Sequence, residues 1–224
     1  MTDDLASRQA WVPLWRELAD SSALLDRGDE MIETYKWSER DAPPIIAVLA
    51  MGSERLVKLS YGLATDDWHG VRARGHRLAD LDDECRKIMR ANAPTAYVHD
   101  LISGVDADGL LADLLRLLQV YADQGRFYNL DMLRGLAVAS DSPEMLWRDL
   151  RASLSQTYRH LYGVHDVRTD HGVAVIEAAH NAALRRSLYR WRELYYRAWI
   201  NGACGPLAKR FSGEINPDRN RPRP

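Results

Sequence analysis

Residues Ile45–Ala64, IIAVLAMGSERLVKLSYGLA, decide the fold class because they form the most apolar helical segment of the chain. Asp41-Ala42-Pro43-Pro44 comes directly before them, and proline is tolerated in the first turn of a helix. Apolar residues also recur with a helical period on both sides of this segment, and strict alternation over a strand length is hard to find. The sequence therefore predicts an all-α fold with this helix at the centre of the core.

The remaining helical segments are joined by short connections, which is typical of a single helical bundle. We expect six or seven helices in total. Besides Ile45–Ala64, the periodicity indicates helices at Leu5–Leu25, Leu78–Met89, Gly109–Gln124, Asp131–Val138, Pro143–Tyr162 and Gly172–Ile200, with a shorter helical piece at Asp29–Trp37.

One domain is expected over residues 1–211. Residues 1–40 are predicted to form peripheral N-terminal helices, residues 43–166 the core of the bundle, and residues 168–202 a long helix rich in arginine and aromatic residues. The polar segment Ser212–Pro224 is rich in proline and arginine, which predicts a disordered tail.

Composition excludes several classes of protein. The 224 residues have a formal net charge of −2, so the chain as a whole is not a polyanion binder. Cys85 and Cys204 form no CxxC pair, and two such cysteines fit a reducing cytoplasm. The acidic N-terminus has no apolar signal region, and the run Pro43–Met51 is too short to span a bilayer. We therefore expect a cytoplasmic protein that does not insert into a membrane.

Charge is distributed unevenly along the chain. Residues 168–224 contain 11 basic and five acidic side chains, whereas residues 1–167 contain 19 basic and 27 acidic ones. This asymmetry has two interpretations: the C-terminal part meets an acidic partner such as RNA, or the two parts attract each other within one fold, and the second is favoured.

The segment Arg185–Trp199, RRSLYRWRELYYRAW, combines arginine with tyrosine and tryptophan, the composition that single-stranded nucleic acid requires. Alternatively, Leu188, Trp191 and Tyr195 follow core spacing and the charged residues form a solvated face, or the arginine stems cover a dimer interface. The candidate nucleic-acid-binding residues are Arg185, Arg186, Arg190, Arg192 and Arg197.

Two other spacings place chemically active groups near each other. Glu177 and His180 form an E-x-x-H pair, but a di-metal site needs a second such pair and two further glutamates. A core histidine with one hydrogen-bond partner is the favoured interpretation, and no metal site is predicted.

Arg159 and His165 lie six residues apart, so that an arginine could hold a phosphate while an imidazole moves a proton. P-loop, GxGxxG, HExxH and GxSxG motifs are missing, and no cofactor is expected.

Three stretches in this order resemble the HEPN superfamily of α-helical bundles, over about residues 43–166. The segment Gly52–Leu59, GSERLVKL, resembles the second core helix of that family, with its E-x-x-x-K spacing. Gly75–Leu81, GHRLADL, is similar to the G-H-x-L segment that often follows. Arg159 and His165 resemble the R-x4–6-H motif of the family, with the polar His160 after the arginine.

The resemblance implies a homodimer with the Arg/His pairs facing one cleft. It implies RNA binding and, in the active members, metal-independent RNA cleavage in toxin or phage-defence systems, with an antitoxin or another protein as partner. Arg159 would then bind the phosphate and His165 would act as general acid or base, with His160 or Glu54 orienting the pair. Other members are non-enzymatic dimerisation or protein-binding modules.

Independently of the family, Glu54 and Lys58 are spaced to pair on one helix, and His76 is placed to cap or contact the next helix.

Overall fold

The computed structural model describes residues 3–37, 40–123, 125–135 and 141–219. Every regular element in these ranges is helical, which confirms the all-α prediction. Two short 3-10 helices, Gly125–Phe127 and Ser212–Ile215, accompany the α-helices. The α-helices are α1 (Asp3–Glu33), α2 (Ala42–Thr65), α3 (Trp68–Ala73), α4 (Leu78–Asn92), α5 (Ala96–Asp106), α6 (Gly109–Asp123), α7 (Tyr128–Leu133), α8 (Pro143–Thr157), α9 (Leu161–Val164), α10 (Asp170–Ile200) and α11 (Pro206–Phe211).

The first helix is longer than the sequence predicts. The predicted helix Leu5–Leu25 and the first part of the predicted piece Asp29–Trp37 belong to one helix, α1, that continues through Gly28 and ends at Glu33. Gly28 lies against Leu49 of α2, where a Cβ would clash with the leucine side chain. Leu18 and Ile32 of α1 are fully buried in the common core, so that α1 does not occupy the peripheral position predicted for residues 1–40.

Several boundaries also differ from the predictions. The predicted loop Gly70–Gly75 contains most of α3, and α5 was not predicted at all. The helix predicted to reach Tyr162 ends at Thr157, and α9 follows after one turn. The end of the predicted helix Asp131–Val138 lies outside the described residues.

The C-terminal segment departs from the prediction of a disordered tail. Ser212–Ile215 forms a 3-10 helix, and Ile215 is buried in the core. Ser22 of α1 donates a hydrogen bond to the carbonyl oxygen of Glu214 at 2.6 Å. The tail therefore cannot begin at Ser212, and residues 220–224 lie outside the described part of the chain.

The long helix α10 lies at the centre of the bundle. It contacts α1, α5, α6, α8 and α11, and Trp191, Tyr195 and Trp199 on it are fully buried. Helix α2 packs along α1 and also contacts α4 and α6, as expected for the most apolar helix. Among the residues that the structure describes, no helix combines the length and the apolar character needed to cross a membrane.

Candidate functional site

Arg159, His160 and His165 lie on one surface segment between α8 and α10. Arg159 and His160 are exposed in the turn before α9, and the partly exposed His165 follows α9 with extended backbone. The side chains of Arg159 and His165 form no hydrogen bond or ion pair with the described residues, and the ring of His160 lies 6.2 Å from that of Tyr158. These groups are therefore available to a ligand.

The backbone of this segment is wound tightly. Leu161, Tyr162 and Gly163 each donate an N–H to the carbonyl three residues earlier, which is the pattern of a 3-10 turn. The hydroxyl of Tyr162 lies 3.0 Å from that of Ser155 on α8 and ties the segment to that helix. His165 lies beyond α9 rather than inside a continuous helix.

Glu54 belongs to a different cluster. Lys58 donates to its carboxylate at 2.6 Å, and Nδ1 of His76 lies 3.0 Å from both oxygens. This confirms the predicted Glu54–Lys58 pair. The prediction for His76 is a cap or contact on the next helix, whereas its side chain contacts Glu54 on the earlier helix α2. Partial burial raises the pKa of Glu54, but the hydrogen bonds from Lys58 and His76 outweigh it and leave that pKa below its ordinary value. The structure thus joins Glu54 to two basic residues and not to the segment of Arg159.

The five arginines of α10 all have partners inside the protein. Arg185 pairs with Asp29 and Glu33, and Arg186 donates to the hydroxyl of Tyr158. The other three ion pairs are Arg190 with Asp108, Arg192 with Asp26 and Arg197 with Glu193. Several of these partners come from the acidic first part of the chain, so the predicted attraction between the two parts within one fold is present.

Arg192 differs most from a nucleic-acid contact, since only 5% of its surface is exposed. Its guanidinium lies 2.6 Å from Asp26 between α10 and α1. The expectation that all five arginines form an open binding surface therefore fails for Arg192, because it is enclosed where α10 packs on α1.

His180 is buried in the core, as the sequence predicts, but the expected hydrogen bond is missing at one ring nitrogen. Its Nε2 has no partner among the described residues. Burial and the charge of Arg151 lower the pKa of His180, which keeps the ring neutral near pH 7. In the described ranges no group of three or more histidine, cysteine, aspartate or glutamate residues is arranged to hold a metal ion.

A cleft of about 150 Å³ adjoins His180. Trp37 packs edge-to-face on His180 with 5.5 Å between ring centroids, and its indole donates to Asn181 at 2.8 Å. The described residues that line the cleft are Trp37, Arg151, Tyr162, Val167, Val173, Ile176, Glu177 and His180.

The cleft was not predicted from the sequence, and only the E-x-x-H spacing drew attention to two of its residues. Tyr162 and Val167 connect it to the segment that carries Arg159 and His165. The geometry therefore offers a free arginine and histidine on the surface beside an aromatic cleft with an unpartnered buried imidazole. Comparison of the chain with family models, curated proteins and solved structures finds no match for it.

Proposed function

We propose that this protein is a HEPN-like helical bundle that binds single-stranded RNA and cleaves it without a metal ion at Arg159 and His165. One observation carries the proposal: the side chains of Arg159 and His165 have no partner among the described residues, whereas each arginine of α10 is paired with another residue of the chain. The interface therefore centres on the segment between α8 and α10.

The chemistry follows from the two side-chain types. Arg159 holds the scissile phosphate and stabilises the charge that develops on its oxygens. His165 takes the proton from the attacking 2′-hydroxyl or gives one to the leaving oxygen. His160 lies on the same segment and orients the pair, while Glu54 serves the cluster of Lys58 and His76.

The proposal includes the assembly and setting that the family resemblance implies. Two copies form a homodimer that brings the two Arg/His pairs to one cleft. The protein acts in the cytoplasm, in a toxin or phage-defence system, and an antitoxin or another protein partner restrains it.

The test is cleavage of mixed-sequence RNA in excess EDTA by the wild type, Arg159→Ala and His165→Ala. We expect each substitution to slow cleavage by about a hundredfold or more. Arg27→Ala on α1 and His69→Ala on α3 remove exposed residues of the same types elsewhere and should cleave like the wild type. Absence of cleavage by the folded wild type, or equal cleavage by all variants, would contradict the catalytic assignment.

A second candidate function, a non-enzymatic module that binds a protein or a second copy, is favoured by exposed apolar side chains on the same surface. Val164 is 75% exposed, and Tyr162, Val167 and Val173 are also exposed beside it. Such a surface is typical of a protein contact. Two results together would support this candidate. The wild type would form a dimer or complex that persists at high salt and that Val164→Asp abolishes, and it would not cleave RNA.

A further inference from the structure

The buried imidazole of His180 is left without a hydrogen bond at a place where a ligand can enter. A buried polar atom without a partner costs about 1–3 kcal/mol, so native proteins rarely leave one unless function requires it. His180 is 2% exposed, its Nε2 has no partner among the described residues, and the ring forms part of the cleft wall. Nε2 itself is closed to solvent, so a polar group in the cleft supplies the missing partner when the imidazole turns toward it.

The cleft walls select for a flat and uncharged ligand. Tyr162 presents an aromatic ring that is 41% exposed, and Val173 and Ile176 of α10 add apolar surface. Arg151 and Glu177 contribute one charge of each sign, and the neutral imidazole adds none. A ring with hydrogen-bonding groups on its edge fits these walls better than an anion or a cation does.

We propose that this cleft binds one nucleobase of a single-stranded RNA, with the base against the ring of Tyr162 and its polar edge hydrogen-bonded to Nε2 of His180. The inference rests on the proposed function, because it assigns the cleft as the base-binding part of the same RNA surface. Arg151 can donate to a base and Glu177 can accept from one, which makes the site able to distinguish bases.

The position of the cleft along the chain supports this assignment. Tyr162 lies between Arg159 and His165 in sequence, and Val167 follows two residues after His165. Phosphate-binding and base-binding groups therefore alternate on one short segment. Stacking of bases on aromatic rings beside a cationic group is the usual arrangement in proteins that bind single strands.

The experiment compares binding of a mixed-sequence single-stranded RNA with binding of an abasic RNA of the same length, both fluorescently labelled, in EDTA. His165→Ala serves as the background, so that neither RNA is cleaved. In this background Val173→Trp fills the cleft from α10, and His180→Phe removes the ring nitrogens. Val12→Trp is the matched control, because Val12 is an exposed valine on α1 that does not line the cleft.

We expect the background protein to bind the RNA with bases about tenfold more tightly than the abasic RNA, as expected for one stacked base. Val173→Trp and His180→Phe should bind both RNAs with the weaker affinity, while Val12→Trp keeps the preference. Val173 is exposed, so that its variant tests the inference even if His180→Phe fails to fold.

Equal binding of the two RNAs, or an unchanged preference in Val173→Trp, would overturn the inference. Competition by free nucleoside monophosphates as strong as that by RNA would also overturn it, since the cleft would then serve a free nucleotide. If Val173→Trp alters the oligomeric state but leaves the preference for the mixed-sequence RNA over the abasic RNA unchanged, the cleft serves a protein contact. Arg159→Ala separates the two claims, because it should weaken the binding of both RNAs equally. If it weakens the binding of neither RNA, the phosphate contact of the proposed function is wrong, regardless of the result for the cleft.

Discussion

The imidazole of His76 faces the carboxylate of Glu54, with Nδ1 3.0 Å from each of its oxygens. Lys58 donates to the same carboxylate at 2.6 Å. The contact joins the turn before α4 to the middle of α2, and it brings together the stretches Gly52–Leu59 and Gly75–Leu81.

Glu54→Gln should lower the free energy of unfolding at pH 7 by about 1–2 kcal/mol, because the carboxylate accepts charge-assisted hydrogen bonds in a partly buried place. The folded protein holds the pKa of Glu54 below its ordinary value of 4.5. This stabilisation is therefore complete above pH 4.5 and is lost as the pH falls through the lower folded pKa. Urea unfolding of both proteins between pH 7 and pH 3 measures the effect.

The difference between wild type and Glu54→Gln should accordingly shrink in acid. Glu30→Gln is the matched control, since Glu30 pairs with Arg27 on the exposed face of α1. We expect that control to change stability by less than about 0.5 kcal/mol at any of these pH values. A difference that grows in acid would be inconsistent with the lowered pKa.

A second prediction concerns Asp82, which is completely buried. Its Oδ1 accepts hydrogen bonds from the indole of Trp191 and the hydroxyl of Tyr195, each at 2.7 Å, and its carboxylate pairs with Arg86. Asp82→Ala should lower the free energy of unfolding by about 3–5 kcal/mol, because two buried donors and the partly buried Arg86 lose their acceptor. Asp82→Asn retains one acceptor oxygen and should cost less. Chemical denaturation measures both, and equal losses would argue against the hydrogen bonds.

The contact between α1 and α2 depends on a glycine. A Cβ on Gly52 would lie 3.0 Å from Leu24 Cβ and 3.1 Å from the backbone nitrogen of Leu25. Gly52→Ala should therefore force the two helices apart and cost about 1–3 kcal/mol. Gly104→Ala in α5 is the control, because its Cβ would meet nothing within 4 Å and alanine favours a helix. The two denaturation midpoints should move in opposite directions.

The two cysteines should be unreactive in the folded protein. Cys204 is 1% exposed, and burial raises the pKa of its thiol to about 12. Burial likewise raises the pKa of Cys85, whose Sγ lies 3.6 Å from the carbonyl oxygen of Val57. Labelling by a thiol reagent at pH 8 should be at least about a hundredfold slower in native than in urea-unfolded protein. Rapid native labelling of either thiol would contradict the burial.

Helical periodicity predicts the buried face of α10 better than its charged face. Leu188, Trp191 and Tyr195 are buried as their spacing indicates. The interpretation with a solvated charged face includes Glu193, but this residue is only 9% exposed, because five other helices surround α10. Periodicity assigns one face of a helix, and it cannot show that neighbours enclose a second one.

Helix α5 was missed although Val98, Ile102 and Val105 follow the helical spacing and are buried. Its shortness and Gly104 weaken the pattern, but the signal is present. The cleft is a different case, because Trp37 is more than a hundred residues away from Arg151 and Tyr162 in the chain. The packing of the segment after α1 against α8, α9 and α10 brings the lining residues together, and no pattern within one segment predicts that.

The hydrogen bond between Ser22 and Glu214 links residues 192 positions apart. During synthesis α1 leaves the ribosome long before the 3-10 helix and α10 that complete its packing surface. Until then its apolar side chains, including Leu18 and Leu25, have only α2 to cover them. Exposed apolar surface on incomplete chains is bound by chaperones or aggregates. Production of this protein should therefore tolerate slow translation or C-terminal truncation poorly, and a chain that ends before Ser212 should accumulate in the insoluble fraction.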